Sequence, residues 1–271
     1  MKKTLCCLFA LLLVLSAVFA FAACKKDEPS TPSGNEADAA SDLAYITDKG
    51  TLVVGITEYE PMDYLDENGD WTGFDAEYAT AVAGKLGVKV EFIEIDWDNK
   101  VNELNSKAID CIWNGMTILD DLKTAMDITD AYVINAQVVV MKADKLADYP
   151  DVESMKDLTF AVEAGSAGAG VAADNGLNTT EVNVQADALT EVASGAADAC
   201  IIDITMANAM TGEGTSYADL AAGISLSEEE YGVGVRLGSD LCAKINEITD
   251  ELIADGTLTA LAEKYELTLV G

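Results

Sequence analysis

The chain has 271 residues, half of them hydrophobic, with 48 acidic residues against 16 basic ones, no histidine and a formal charge of −32. Such a surface repels nucleic-acid phosphates and anionic lipid headgroups, which argues against a nucleic-acid partner, and it favours cationic ligands at long range. With no histidine and no cysteines at metal-ligand spacing, neither a metal site nor a cofactor is expected.

Lys2 and Lys3 precede an apolar run over residues 5–23, and Cys24 follows Phe21-Ala22-Ala23 directly. A basic start, an apolar stretch and small residues before a cleavage point describe a secretory signal. The cysteine there resembles that of the bacterial lipobox, so Cys24 would become diacylated and anchor the protein to the cell membrane; Phe21 stands where leucine is usual. The alternative is an uncleaved anchor, since about 18 apolar residues can span a bilayer. Residues 24–42 carry Pro29, Pro32, Gly34 and many acids without apolar periodicity, and read as a disordered tether. Beyond the signal and Cys24 remain Cys111, Cys200 and Cys242, an odd number; the first two sit in apolar runs, as small buried hydrophobes do.

Short β-branched runs then alternate with helical segments. Residues 51–56, 89–95, 108–113 and 137–142 read as strands, and 75–86 and 99–106 as helices. Asn68-Gly69 is a tight-turn pair, so 63–65 and 71–74 form a hairpin. The second half repeats the theme: strands over 158–162, 181–184 and 198–203, helices over 167–175 and 186–194, and a helical stretch over 240–265. This predicts an α/β fold on mostly parallel strands. An internal echo pairs Asn105-Ser106-Lys107-Ala108-Ile109-Asp110 with Ala193-Ser194-Gly195-Ala196-Ala197-Asp198. Each is a helix end, a turn and the start of a strand, as expected of two related lobes.

Two short motifs compete with this reading. Gly168-Ala169-Gly170 after a strand loosely matches a dinucleotide fingerprint, but a complete βαβ unit closed by an acid is needed to support it. Asp66-x-Asn68-x-Asp70 with Glu77 matches most of a calcium loop, yet Trp71 occupies the position where the sharp turn needs glycine.

Tyr59-Glu60-Pro61-Met62, then Gly73-Phe74-Asp75, then Leu86-Gly87 and finally Trp97 before a helix resemble, in order and spacing, the opening lobe of family 3 extracellular solute-binding proteins. These proteins deliver polar amino acids to ABC importers. The resemblance covers nearly all of residues 43–269. It implies a two-lobed, type II periplasmic-binding-protein-like α/β fold with two crossover segments, at 132–136 and 227–231, and hinge closure around a ligand. Lobe 1 would comprise 43–136 and 232–271, and lobe 2 residues 137–231. The partners implied are a small-molecule ligand, an ABC permease and, through the lipid, the membrane; the protein would act as a monomer.

The resemblance also assigns a site. Tyr59 and Trp97 match the aromatic positions that sandwich the ligand side chain; Asn114, Gly115 and Thr117 match the segment on its α-amino and carboxylate groups. Ser166 and Ala167 match the turn that donates to the carboxylate, and Asp203 matches the acid that pairs with the α-ammonium; Asp203 could instead cap the next helix. Glu58 and Glu163 fall beside positions that touch ligand side chains. One departure stands out. The family reads Thr-x-Thr-x-x-Arg, whose arginine grips the ligand carboxylate, whereas Leu122 stands at that place here, and Lys123 could replace it only as a point charge. A cleft with three acids and little positive charge is therefore expected, suited to a zwitterionic or cationic amino compound. The carboxylate is either held by N–H and hydroxyl donors alone or missing from the ligand. Other classes remain: a lyase-like enzyme on the same scaffold, with Glu163 or Glu58 as general acid, or a sensory module reporting to a receptor.

Overall fold

The computed structural model describes residues 41–271, so the signal, Cys24 and the tether up to residue 40 lie outside the described residues. Ser41 accepts the Ala44 N–H at 2.9 Å and caps α1 (Asp42–Lys49). Residues 41 and 42, read from sequence as tether, thus belong to the fold, and Asp42 is buried.

After α1 come β1 (Thr51–Ile56), the hairpin β2 (Tyr64–Leu65) and β3 (Trp71–Thr72), α2 (Phe74–Leu86) and β4 (Lys89–Glu94). The Asp66 carboxylate accepts the N–H groups of Asn68 and Asp70 at 2.8 and 2.9 Å, so it serves the hairpin turn. A single 3-10 turn at Trp97–Asn99 leads into α3 (Lys100–Asn105), then β5 (Cys111–Ile112), β6 (Met126–Ile128), β7 (Val133–Asn135) and β8 (Gln137–Lys142). The second half runs β9 (Thr159–Glu163), α4 (Ala167–Asp174), β10 (Asn178–Val182), α5 (Gln185–Ser194), β11 (Ala199–Asp203), α6 (Ile204–Met210) and β12 (Leu220–Ser225). The chain closes with β13 (Glu229–Tyr231), β14 (Gly234–Arg236), α7 (Asp240–Ala254) and α8 (Thr257–Lys264). The helical stretch expected over 240–265 is two helices, parted at Gly256, whose φ is +83°.

The strands form two five-stranded sheets, β4-β1-β5-β14-β6 and β10-β9-β11-β8-β12. In each sheet four strands run the same way and one, β14 or β8, runs against them, so the mostly parallel arrangement expected from sequence holds with one reversed strand per sheet. Strands β6, β12 and β14 were not foreseen: β6 and β14 are three residues each, and β12, Leu-Ala-Ala-Gly-Ile-Ser, alternates weakly. Between the sheets the chain passes twice, through β7 and β13, which pair antiparallel. These two strands are the crossovers of a two-lobed fold.

Both faces of each sheet are covered. In β1, Leu52, Val54 and Ile56 face one core while Val53 faces another; in β8, Val138 and Val140 oppose Val139 and Met141. Cys111 in β5 and Cys200 in β11 are buried free thiols. The first sheet is fastened to α1 by Arg236, whose Nε meets Asp42 at 2.9 Å, whose Nη2 lies 3.5 Å from Asp110 and whose Nη1 reaches the carbonyls of Leu104 and Ile109. Removing one member of a buried ion cluster strands the others. Arg236→Met is therefore expected to lower the unfolding free energy by about 3–5 kcal/mol in urea titrations, with Asp42→Asn added to it restoring part of the loss.

Candidate functional site

The carboxyl ends of β9 and β11, neighbours in the second sheet, place Glu163 and Asp203 side by side at the junction between lobes. Open α/β sheets bind ligands at such strand ends. From the first lobe come Thr57, Tyr59, Trp97, Lys100, Asn114, Thr117 and Leu122, and from the second Gly165, Ser166, Ala167 and Gln185. The enclosed space is small, about 30 Å³, and it adjoins a wide outer groove through residues that line both, among them Lys100, Leu122 and Ser166.

Asp203 is the most heavily bonded group here. It receives Asn135 Nδ2, Gln137 Nε2, Tyr231 Oη and Gln185 Nε2, and its backbone N–H donates to Gln185 Oε1 at 3.1 Å. It precedes α6 yet makes no side-chain cap bond to it. Asn135 and Gln137 also donate to Glu229 Oε1, each at 2.6 Å, where Thr117 Oγ1 joins at 3.0 Å. The crossovers therefore meet in one buried network of two carboxylates and two shared amides.

The family model for bacterial extracellular solute-binding proteins, family 3, matches residues 52–268. The chain belongs to that family. It is 32% identical over 272 residues to the L-cystine-binding protein TcyA of Bacillus subtilis, covering 98% of this chain and 97% of the other. It is 30% identical over 278 residues to the arginine-binding extracellular protein ArtP of the same organism, covering 98% of each. The ancestral amino acid-binding protein AncCDT-1, described as a precursor of cyclohexadienyl dehydratase, superposes with a TM-score of 0.77 at 31% identity, over 83% of this chain and 99% of that one. As a family 3 solute-binding protein, the chain works outside the cytoplasm.

Of the residues named from sequence for this solute-binding protein, all but Glu58 line the cleft. Glu58 is exposed, because it alternates with the buried Tyr59 on an extended segment. The Tyr59 hydroxyl bonds Thr205 and Tyr231, which fixes its ring against the hinge. Asn114 is turned to Thr57, accepting its N–H at 2.8 Å and donating to its hydroxyl at 2.7 Å. The Gly115 N–H goes to Asp75 at 2.6 Å, and at φ +55° an added Cβ there would fall 2.5 Å from the Tyr59 ring, so glycine lets the aromatic wall close. Asn114 and Gly115 thus shape the cleft with groups already engaged. Ser166 accepts the Ala169 N–H at 3.1 Å and caps α4, the helix opening with the Gly168-Ala169-Gly170 run.

The expectation of little positive charge is corrected by Lys100. Its ammonium is buried, donates to the carbonyls of Trp97 and Gly165 at 3.0 Å each, and sits 4.7 Å from the Trp97 ring centre. Lys123 instead pairs with exposed Asp120 at 3.0 Å and lines only the outer groove. The turn carrying Gly165 packs hard on the first lobe: at φ +68°, a Cβ there would lie 2.5 Å from Asp98 Oδ1 and 2.9 Å from its Cα. Sequence reasoning also missed Asn135, Gln137, Gln185 and Glu229. The period-2 spacing of polar residues in β7–β8 and β13 is the signal that points to the three strand residues.

Burial pushes the Glu163 carboxyl up to about 8, with the Asp203 charge adding to it and Lys100 opposing, and Glu163 Oε1 is buried without a hydrogen-bond partner. Burial, with Glu229 adding, also raises Asp203. A raised carboxyl keeps its proton in the folded state while the unfolded chain has lost it. Its contribution to stability is full below the ordinary value of 4.5 and is lost as pH rises through about 8. Thermal melts of ligand-free protein are expected to fall between pH 5 and pH 8, and Glu163→Gln to flatten that fall. Parallel slopes for the two proteins would remove Glu163 as its source.

Proposed function

We propose that this chain is the ligand-binding component of an ABC importer for a free amino acid, which it encloses by closing two lobes about the β7–β13 hinge and hands to a permease. The observation that carries this reading is the pair of buried strand-end carboxyls, Glu163 and Asp203, facing Tyr59 and Trp97 across the cleft. Carboxylates bind an α-ammonium, and aromatic faces hold apolar stems by burial and cations through the ring quadrupole. Three of the four donors on Asp203 converge on Oδ1 and only Gln185 reaches Oδ2, so Oδ2 keeps an acceptor site for an arriving ammonium. L-cystine and arginine, named for two of the relatives above, are the first ligands to try.

The distribution of strands supports lobe boundaries at residues 136/137 and 231/232, with residues 41–42 joining lobe 1. A cleft of carboxyls, amides, hydroxyls and the Lys100 ammonium, with carboxyls facing aromatic walls, supports binding without turnover. The lyase-like alternative has one observation in its favour, the proton-holding Glu163; recovery of a chemically altered ligand after incubation would establish it.

A true ligand at about 100 times its dissociation constant is expected to stabilise the protein by roughly 2.7 kcal/mol, read as a thermal shift across amino acids, amines and betaines. Asp203→Asn is expected to weaken that ligand by about 30-fold or more, the effect of truncating a buried charge pair, while the unliganded melt persists.

We further propose that the mature protein begins at a diacylated Cys24 and is monomeric, tethered to the membrane. Intact-mass measurement of membrane-processed protein is expected to show the acyl chains, and Cys24→Ser to abolish them. An unmodified cysteine at the mature N-terminus would overturn this.

A further inference from the structure

Lys100 holds a buried ammonium that makes no ion pair among the described residues. It has three N–H groups, and two of them rest on neutral carbonyls, Trp97 O in the first lobe and Gly165 O in the second. Buried charges are ordinarily paired, because a neutral carbonyl returns only part of what water gave. The carboxylates that act on Lys100 are Glu163, Asp98, Asp121 and Asp96. Three of these are exposed and screened by water; Glu163, the buried one, stops short of a contact and keeps an unpartnered oxygen. The cleft therefore presents a cation lacking an anion and, beside it, a carboxyl with one oxygen unpartnered. Leu122, on the same wall, offers no charge.

Resting on the reading of the site as an amino-acid cleft, we propose that Lys100 is the specificity-determining cation that receives the ligand's carboxylate, so that the substrate class is free amino acids rather than their decarboxylated amines. On binding, the ammonium turns its third N–H to the carboxylate while keeping the lobe-bridging bond to Gly165 O. The ligand ammonium then lies on the acidic side, toward Glu163 and Asp203. The same lysine thus ties closure of the lobes to the presence of a carboxylate.

The test is calorimetric titration of the purified full chain with matched pairs: L-arginine and agmatine, L-cystine and cystamine, L-histidine and histamine, L-lysine and cadaverine. The wild-type protein is expected to bind the amino acid of at least one pair about 30-fold or more tightly than its amine, the scale set by a buried carboxylate partner. Lys100→Met is expected to weaken the amino acid by a similar factor, leave the amine within about threefold, and so erase the discrimination. Lys100→Arg is expected to keep most of it. Melting of the ligand-free Lys100→Met protein checks its fold, which exchange of a buried charge for a packed apolar side chain leaves intact. Equal losses for both members of a pair would make Lys100 a structural residue and overturn the inference. Wild-type protein that binds amine and amino acid alike would overturn it too, with the binding-protein reading standing. Wild-type protein that binds none of the eight compounds would overturn the amino-acid reading and this inference together.

Discussion

The structure depends on one sharing arrangement: the side-chain amides of Asn135 and Gln137 each divide their N–H groups between Asp203 and Glu229. Two carboxylates, one ending β11 and one on the β13 crossover, would repel one another. Bridged by amides, they instead hold β7, β13 and the end of β11 at a fixed spacing, and a partly satisfied network would cost more than an apolar one. Pairing of β9 with β11 sets Asp203 beside Glu163, and the bridge ties that strand end to the hinge. Tyr231 and Gln185 complete the shell, so loss of any one member would be felt at the hinge and at the site together.

Much of this was legible in the chain. Asn68-Gly69 announced the hairpin, the β-branched runs located β1, β4, β8, β9 and β11, and the family pattern of spacing brought nine of ten named residues to one cleft. What was not legible has physical reasons. A lysine near the start of a helix reads as a solvated side chain, and only the approach of Gly165, 65 positions away, buries Lys100. Asn135, Gln137 and Glu229 are ordinary polar residues until β7 and β13 pair, at separations of 92 and 94 positions from amide to carboxylate. Glu58 was placed in the cleft by proximity to Tyr59, against the alternation that turns neighbouring side chains of an extended segment to opposite sides. The three-residue strands β6 and β14 carry too few residues for a periodic signal.

The acidity of the whole chain and the chemistry of its cleft are separate matters. Most of the acids are solvated and screened beyond roughly 10 Å. Inside, desolvation raises Glu163 and Asp203 and lowers Lys100, so burial works against every charge the cleft contains. A bound zwitterion would relieve that opposition from both sides, its poles meeting Lys100 and Glu163. Selectivity in such a site comes from matching the dipole of the ligand more than from its net charge.

Gly165 sets a limit on that motion. Its backbone lies against Asp98 with no room for even a methyl group, so the two lobes meet main chain to side chain as a stop meets a latch plate. Were closure to end at this contact, its depth would be set by backbone geometry and not by the ligand's bulk. Anything thicker at this point acts as a wedge, holding the jaws ajar by about the width of the group inserted. A transporter that senses the closed outline of its receptor would be reading the thickness of a single residue.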